Sequence, residues 1–598
     1  MLDASLEAGI GSLVQVPFHG RLVRGWVLGP TDEIPPRTLS VKKAVSPVRF
    51  FDPDMLWLAR WVSERYIAPL AAVLTRLSPP RVASEERAVD EPRAAENAAT
   101  RRGGGGGASA LTQPCHTSRT RTAAPFSPPA SVLADYRSST DLLGALRSAD
   151  GSGAFVVRPA PEDEVAVAVE AVSECLASGR RAVVIVPEAT PVPATAAAIA
   201  RAFGERVALF LGGSKRARYR MWLAIGAGCV DVVVGTRSAV FAPIGDLGLT
   251  IVSRESHPAH REDRAPYYHV RDVALARARR SGAVCLLEAM CPSSEAAAMD
   301  MPQITPAARR WPPVEVVRPG PEGRAPRLVR ALRDARRAFL FSPLPGYGIA
   351  AFCRACGAPA ACAACGGALR SEEGAVRCVV CEAPGRCATC GASDFGLRRG
   401  GAERVEEWAS GIASVPVHRL AADDAPRLPR EGEIVVGGPD DVRDFGPGGL
   451  DLVAVLDADL ADRRPGLSAR ERALTTWMEA IGWARPNGRA IVQASRANDA
   501  AVQSLVQGKP ERFHADERAR RADAGFPVGA AVFRVGGPHG LEQDLARLEP
   551  TTMLVSSAGD QTVCLLALEP GRVPEFGRAI RHLAARDRVA RVEAEPHL

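Results

Sequence analysis

Lysine is almost absent from this 598-residue chain: it stands only at Lys42, Lys43, Lys215 and Lys509, although Lys and Arg together number 75. Arginine therefore carries the basic side, and the formal net charge of +7 is a modest surplus for the length. A surplus of that size is compatible with a polyanionic partner without demanding one. Aromatic residues are scarce, at 5%. No run approaches the roughly 18 apolar residues of a membrane helix, so no helical span is expected. The opening "MLDASLEAGIGSLVQVPFHG" has no basic segment leading into an apolar one. A secretory signal is therefore not expected, and a cytoplasmic location is.

What is present is ample material for burial, with hydrophobic residues at 46%. The length predicts about three to five domains. "LVQVPFHGRLVRGWVLG" (13–29) reads as a hairpin turning at His19-Gly20, and 52–77 has helical period with Leu56, Trp57, Trp61 and Leu70 able to share a face. From about 81 to 131 the pattern collapses into Gly, Pro, Ser and Thr, with five consecutive glycines, which predicts a disordered linker. Short β-branched runs such as "RRAVVIVPE", "VDVVVGT" and "LTIVSRES" then alternate with Ala-rich stretches. A second such block includes "RRAFLFSP", "EGEIVVGG", "LDLVAVLDAD" and "GRAIVQAS". Each block predicts a parallel sheet covered by helices on both faces. Residues 525–598 read as a smaller α+β unit.

Eight of the 14 cysteines form four C-x-x-C pairs inside the second block: Cys353/Cys356, Cys362/Cys365, Cys378/Cys381 and Cys387/Cys390. A two-residue gap lets both thiolates of a knuckle face one tetrahedral ion, and a segment this poor in large apolar side chains needs metal to fold. Two four-cysteine Zn²⁺ sites are expected. A nested pairing puts Cys353, Cys356, Cys387 and Cys390 on one ion and Cys362, Cys365, Cys378 and Cys381 on the other. A sequential pairing is the alternative, and it must bend residues 357–361 tightly within one site. Four thiolates leave no open position for water, so the role is structural.

Two α/β blocks with a double cysteine module in the second resemble the bacterial replication-restart PriA family (primosomal protein N′), most of whose members are superfamily 2 DNA helicases. "VDVVVGTRSAVFAPIGDLGLTIV" (230–252), "PYYHVRDVALARA" (266–278), "GYGIAAFCRACG" (346–357), the four knuckles, "GAERVEEWA" (401–409) and "AGFPVGAAVFRV" carry the likeness. It implies a multidomain α/β fold. Its parts are an N-terminal β-rich domain binding DNA 3′ ends (1–80), the linker (81–131), two RecA-like lobes (132–305; 306–352 with 396–520), the zinc module (353–395) and a C-terminal α+β domain (521–598). In the family a glycine turn and a lysine form the DNA-end pocket; the matching positions are Gly20 and Lys43. The linker occupies the slot of the family's winged helix.

The family's ATP-handling groups are missing. After the run 154–158 comes "RPAPEDEVAVAVEA", with no glycine, lysine or hydroxyl to cradle phosphates and with acids at 162–164 that repel them. "LFLGGSKRAR" (209–218) has a lysine but not the phosphate-loop spacing. The family's Asp-Glu-Glu-His is replaced by Ser253, Arg254, Glu255 and Ser256, and its Ser-Ala-Thr by "EAMCP". In "GWARP" (482–486) the arginines fall out of register with the family's arginine fingers. The expectation is a protein that binds branched replication forks and scaffolds reloading of the replicative helicase without unwinding. Its partners would be junction DNA, primosome and helicase-loading proteins and single-stranded-DNA-binding protein, with no catalytic residues and ATP or Mg²⁺ binding in doubt. A divergent ATP-dependent 3′→5′ helicase and a zinc-stabilised protein-interaction scaffold are the alternatives. His257, His260, Tyr267 and Tyr268 are expected to pack as a structural cluster. Arg578, Arg581 and Arg588 are expected on an exposed C-terminal helix.

Overall fold

The computed structural model describes residues 8–31, 39–86, 131–320, 324–342, 349–356, 360, 362–364, 369–372, 375–378, 382–399, 401–421, 423–459, 466–558 and 560–596. At the N-terminus β1 (Ser12–Phe18) pairs antiparallel with both β2 (Arg21–Trp26) and β3 (Lys43–Arg49). The helix Pro53–Arg65 follows, capped by the Asp52 carboxylate, which accepts from Met55 N at 2.7 Å. It buries Met55, Leu56, Leu58, Ala59 and Val62. Trp57, expected on that face, is 37% exposed and lies under the Arg280 guanidinium; it is one residue, hence about 100°, around the helix from Leu56.

Residues 81–86, expected to open the linker, are packed instead. Residues 83–86 are helical, and Glu86 is bound by Arg81 at 2.5 Å and by the Tyr219 hydroxyl at 2.5 Å, while Glu85 is held by Arg216 and Arg220. The acids find partners on the first lobe, which is why the chain stays ordered there. The rest of that stretch, 87–130, lies outside the described residues.

The first lobe is an eight-stranded sheet. Its strands are β4 (Tyr136–Arg137), β5 (Gly153–Val157), β6 (Arg181–Ile185), β7 (Val207–Phe210), β8 (Val232–Gly235), β9 (Leu247–Ser253), β10 (Val284–Glu288) and β11 (Gln303–Pro306). Their order is β4-β11-β5-β10-β9-β6-β8-β7, parallel except where β4 meets β11. All seven residues of β9 are buried, as its unbroken apolar run requires when helices cover both faces. The second lobe is a six-stranded, fully parallel sheet in the order β12-β21-β20-β13-β19-β18. It comprises β12 (Val314–Val317), β13 (Arg337–Phe341), β18 (Val417–Arg419), β19 (Glu433–Gly437), β20 (Leu450–Val455) and β21 (Ala484–Gln493). The two sheets are the RecA-like pair expected.

The cysteine module interrupts the second lobe as two small antiparallel ladders. β14 (Ile349–Cys353) pairs with β17 (Phe395–Arg399), and β15 (Leu369–Glu372) with β16 (Ala375–Cys378). The β14–β17 stem runs four residues past each expected boundary of the module, because the ladder continues outward from the first and last knuckles. The helix Glu511–Asp523 likewise crosses the expected division at 520/521 and stops before Gly525, whose φ of +78° suits glycine. The C-terminal unit is an antiparallel sheet, β23-β24-β22-β25, made of β22 (Ala531–Pro538), β23 (Thr552–Ala558), β24 (Gln561–Leu568) and β25 (Arg591–Ala594). It docks back on the rest of the chain: Arg65 reaches Glu595 at 2.8 Å and Arg261 reaches Glu593 at 3.0 Å.

Candidate DNA face, metal centre and interlobe cleft

The β1–β2 connection has only two residues, and both have positive φ, His19 at 46° and Gly20 at 75°. That is the twist a tight hairpin requires, and it explains the glycine. A Cβ at Gly20 would meet nothing within 4 Å, so backbone conformation rather than space selects it. The tip is unusually bare. Phe18 is 58% exposed with its ring edge-on to His19 at 4.4 Å, and Arg21, Leu22, Val23 and Arg24 are exposed along β2. Lys43 is exposed at the start of β3, opposite Gln15. Three residues of β1, Val16, Pro17 and Phe18, lie between that register and the turn, about 10 Å at strand rise. Gly20 in the β1–β2 turn and Lys43 on β3 thus both flank β1.

Four cysteines converge in the module. The Sγ atoms of Cys353, Cys356, Cys387 and Cys390 all lie within 4.8 Å of one another, with Cys353–Cys390 at 3.5 Å and Cys356–Cys387 at 3.6 Å. A tetrahedral Zn²⁺ with bonds of about 2.3 Å sets its sulfurs about 3.8 Å apart, so the donor set fits that ion. These are the outer pairs of the nested arrangement. Partial desolvation opposes ionisation of Cys387, yet the backbone N–H groups of Cys390 and Thr389 and the neighbouring thiols hold it down at about 6. A thiolate is the form a metal binds. Of the other set, Cys362 and Cys378 are buried. Cys365 and Cys381 lie outside the described residues.

At the C-terminal edges of the parallel strands, where an α/β protein places its ligands, the cleft between the lobes is filled by the chain's own charges. Arg254 follows β9 with φ of +51° and is 2% exposed. Its Nε donates to Glu164 at 3.2 Å, and its Nη1 lies 3.5 Å from Glu479 on the second lobe. Burial pushes Glu164 up to about 7, with Asp444 and Glu479 adding to the rise against the pull of Arg254. Burial also raises Glu288, helped by Glu164 and Asp444, well above its usual range. The acids at 162–164 are all claimed: Glu162 and Asp163 by Arg310, Glu164 by Arg254. Glu255 is fully buried and accepts from Arg271 at 2.9 Å and from Ser293 N and Oγ at 2.9 and 2.8 Å, so it braces the fold.

Further links cross the cleft. Arg443 meets Glu188, Asp444 accepts from Thr195 N at 3.0 Å, Glu471 accepts from Ser294 N at 3.1 Å, and Arg521 meets Glu295 at 2.6 Å. Arg485 pairs with Asp451 at 2.8 Å, within its own lobe. Lys215 opens a helix beyond β7, an edge strand five strands from β5, roughly 24 Å away at 4.8 Å per strand. Sequence reasoning found the acid run and the arginine but not Glu479, Glu188 or Arg443; nothing in an ordinary amphipathic helix such as "ARERALTTWMEAI" marks Glu471 and Glu479 as acids that reach the other lobe. His260 and Tyr268 are fully buried, and His257 lies 3.5 Å from Glu188. Arg578 and Arg581 are exposed on the helix Val573–Ala584, but Arg588 lies past its end, bound to Asp544 at 2.8 Å.

Two parallel α/β lobes meeting at their strand ends, with a thiolate centre inserted in the second, define the class as a helicase-type scaffold. Residues 1–79 match the PriA model of the 3′DNA-binding domain (3′BD). A probable replication restart protein PriA of Mycobacterium tuberculosis (strain ATCC 25618 / H37Rv) is 30% identical over 632 residues, spanning 97% of this chain and 91% of that relative. The replication restart protein PriA of Treponema pallidum (strain Nichols) is 26% identical over 576 residues, spanning 88% and 82%. The chain belongs to the replication restart protein PriA family. The solved structure of E. coli DExH-box NTPase HrpB is similar only slightly, at a TM-score of 0.33 and 15% identity over 62% of this chain and 42% of that one.

Proposed function

We propose that this chain is a replication-restart protein that binds branched DNA at stalled forks and scaffolds reloading of the replicative helicase, without unwinding DNA itself. Membership of the PriA family and the match to its 3′DNA-binding domain support the DNA role. One observation carries the rest of the reading: Arg254, buried between Glu164 and Glu479, occupies the place where a helicase would hold the metal of its triphosphate. A Mg²⁺ ion would meet a fixed cation there, and phosphates would meet carboxylates.

In this reading the bare hairpin, with Gly20 at its turn, and Lys43 at the start of β3 engage the DNA end, phosphates through Arg21, Arg24 and Lys43 and bases through Phe18. Two Zn²⁺ ions, one on Cys353, Cys356, Cys387 and Cys390 and one on Cys362, Cys365, Cys378 and Cys381, fold the module that rises from the second lobe. Bound zinc supplies cross-linking of thiolates and no catalysis. The protein partners are helicase-loading and primosome proteins and single-stranded-DNA-binding protein, in the cytoplasm. The domain divisions near 80, 131, 305 and 520 belong to the same reading.

The test measures ATP turnover and fork binding on one preparation. Fork DNA should bind more tightly than duplex at matched salt, with phosphate release at background whether or not DNA is present. DNA-stimulated phosphate release would refute the non-unwinding scaffold, and equal affinity for duplex and fork would refute the fork preference.

A further inference from the structure

The two lobes meet on more buried negative charge than they carry positive charge to match. The first lobe brings Glu164, at the start of the helix Glu164–Ala177, Glu288, at the end of β10, and Arg254, just after β9. The second lobe brings Asp444, from the connection between β19 and β20, and Glu479, from the helix Ala469–Ile481. All five side chains are buried, so among the described residues four carboxylates share one guanidinium. The Arg443–Glu188 pair at the rim is balanced within itself, and Asp440 beside it adds only negative charge. His257, 3.5 Å from Glu188, is pushed well below its ordinary value by burial and contributes no cation.

Three of the four buried acids are matched. Glu164 accepts from Arg254 Nε at 3.2 Å, Glu479 lies 3.5 Å from Arg254 Nη1, and Asp444 accepts from Thr195 N at 3.0 Å and Gly446 N at 3.2 Å. Glu288 is not: it is 0% exposed, and neither of its carboxylate oxygens has a hydrogen-bond partner. Facing it are Glu164 from its helix, Asp444 from the second lobe, and Ser253 and Arg254 from the end of β9. On its other side β5 sets Val157 opposite, which is apolar. The Ser253 hydroxyl is itself without a partner. A carboxylate sealed from water, without a donor and before two other acids, is costly to keep ionised. A neutral carboxyl brings its own donor, with Ser253 Oγ beside it as an acceptor. Burial, with Glu164 and Asp444 adding to it, holds that proton on well above the usual carboxylate range.

We propose that the lobe interface is a proton latch: the lobes close on Glu288 in its neutral form, and release of its proton to water on the alkaline side forces them apart. One of the two facing acids, Asp444, belongs to the opposite lobe. Opening therefore relieves the repulsion that ionisation creates and lets water reach the new charge. The closed state holds this proton more tightly than an open one. Closure is accordingly strongest on the acid side and weakens by up to tenfold per pH unit as pH rises from the usual carboxylate range toward the raised one. The latch concerns how the lobes meet and stands or falls separately from fork binding.

Hydrogen–deuterium exchange on the full chain, corrected for the intrinsic effect of pH on amide exchange, reads opening in the helix Ala469–Ile481. Protection there should fall at least tenfold between about pH 6 and about pH 9, while that of β22 and β24 in the C-terminal sheet stays level. Glu288→Gln, neutral at every pH and of the same shape, should keep the helix protected throughout. Protection that does not change with pH in the parent chain, or that falls equally in Glu288→Gln, overturns the latch. Because a change at a wholly buried residue can disturb folding, infrared difference spectra of the parent chain provide a second reading. The band of a protonated carboxyl should disappear with the same midpoint as the loss of protection. No such band, or a midpoint separate from the loss of protection, overturns the proposal.

Discussion

The interlobe cleft and the cysteine module both crowd groups that repel one another, and they resolve the conflict in opposite ways. In the cleft Glu164, Glu288 and Glu479 are buried together, and the neutralising charge comes from within the chain, through Arg254. In the module four thiols converge within 4.8 Å in a set that could hold a metal ion, and the charge that would offset their thiolates is then brought by that ion. A site neutralised from inside is closed to ligands of the same charge as its arginine, and a site neutralised from outside stays dependent on supply. The cleft's cohesion rests on the protein's own ion pairs across the two lobes.

Removing metal should separate the two regions most sharply. Chelation, or Cys387→Ser, is expected to unfold the module, since structural zinc contributes about 10–16 kcal/mol near neutral pH. Limited proteolysis would then cut between Cys353 and Cys390 while the lobes' melting transition stays in place. A common loss of both would break the comparison. Arg254→Ala should do the reverse, costing about 3–5 kcal/mol in urea denaturation because it strands buried acids, with no change in metal content. Adding Glu164→Gln and Glu479→Gln should recover at least half of that loss.

A third effect is set by pH. His260 is buried behind the cleft, with Nε2 at 2.8 Å from Ser253 O, and burial lowers its pKa to about 4. A base with a depressed native pKa takes its proton more readily when unfolded, so stability is complete above about 6.5 and falls as pH drops toward 4, by about 3 kcal/mol for a shift of this size. His260→Gln should flatten that part of the stability-against-pH curve. The smallest effects belong to the hairpin, which is cohesive without either kind of charge clamp. Gly20→Ala should cost about 1 kcal/mol, given the positive φ. Arg24→Gln should reduce the slope of log affinity against log salt by about 0.7 to 0.9 on fork DNA, read by fluorescence anisotropy.

Much of this architecture was legible. Continuous β-branched runs such as "VDVVVGT" announced β8 and its neighbours because burial on both faces leaves no polar alternation. The two-residue turn at His19-Gly20 was legible because so few residues tolerate its backbone. β11 and β12 were not, since four residues beside prolines carry too little pattern to read, and they become strands only because an open sheet edge awaits them. Spacing marked the four cysteine pairs but left nested and sequential pairing open, and the fold brings the outer pairs together. The cleft was half legible: the charged end of the apolar run at Arg254 shows in the sequence, but its partner Glu479 sits on a helix whose period says only that one face is buried. Which acid faces the other lobe is decided by how the two sheets meet. The register that sets Lys43 opposite Gln15 was likewise hidden, since residues far apart on the ladder's third strand leave no local pattern.

The hydrogen bond from Arg65 to Glu595 joins residues 530 positions apart. During synthesis the first domain is complete long before its acceptor exists, and domains fold as they emerge. Every molecule can therefore seat its first unit on the first lobe, through Arg216, Arg220 and Tyr219, while the acceptor for Arg65 has yet to be made, and the bond to Glu595 fastens that seat afterwards.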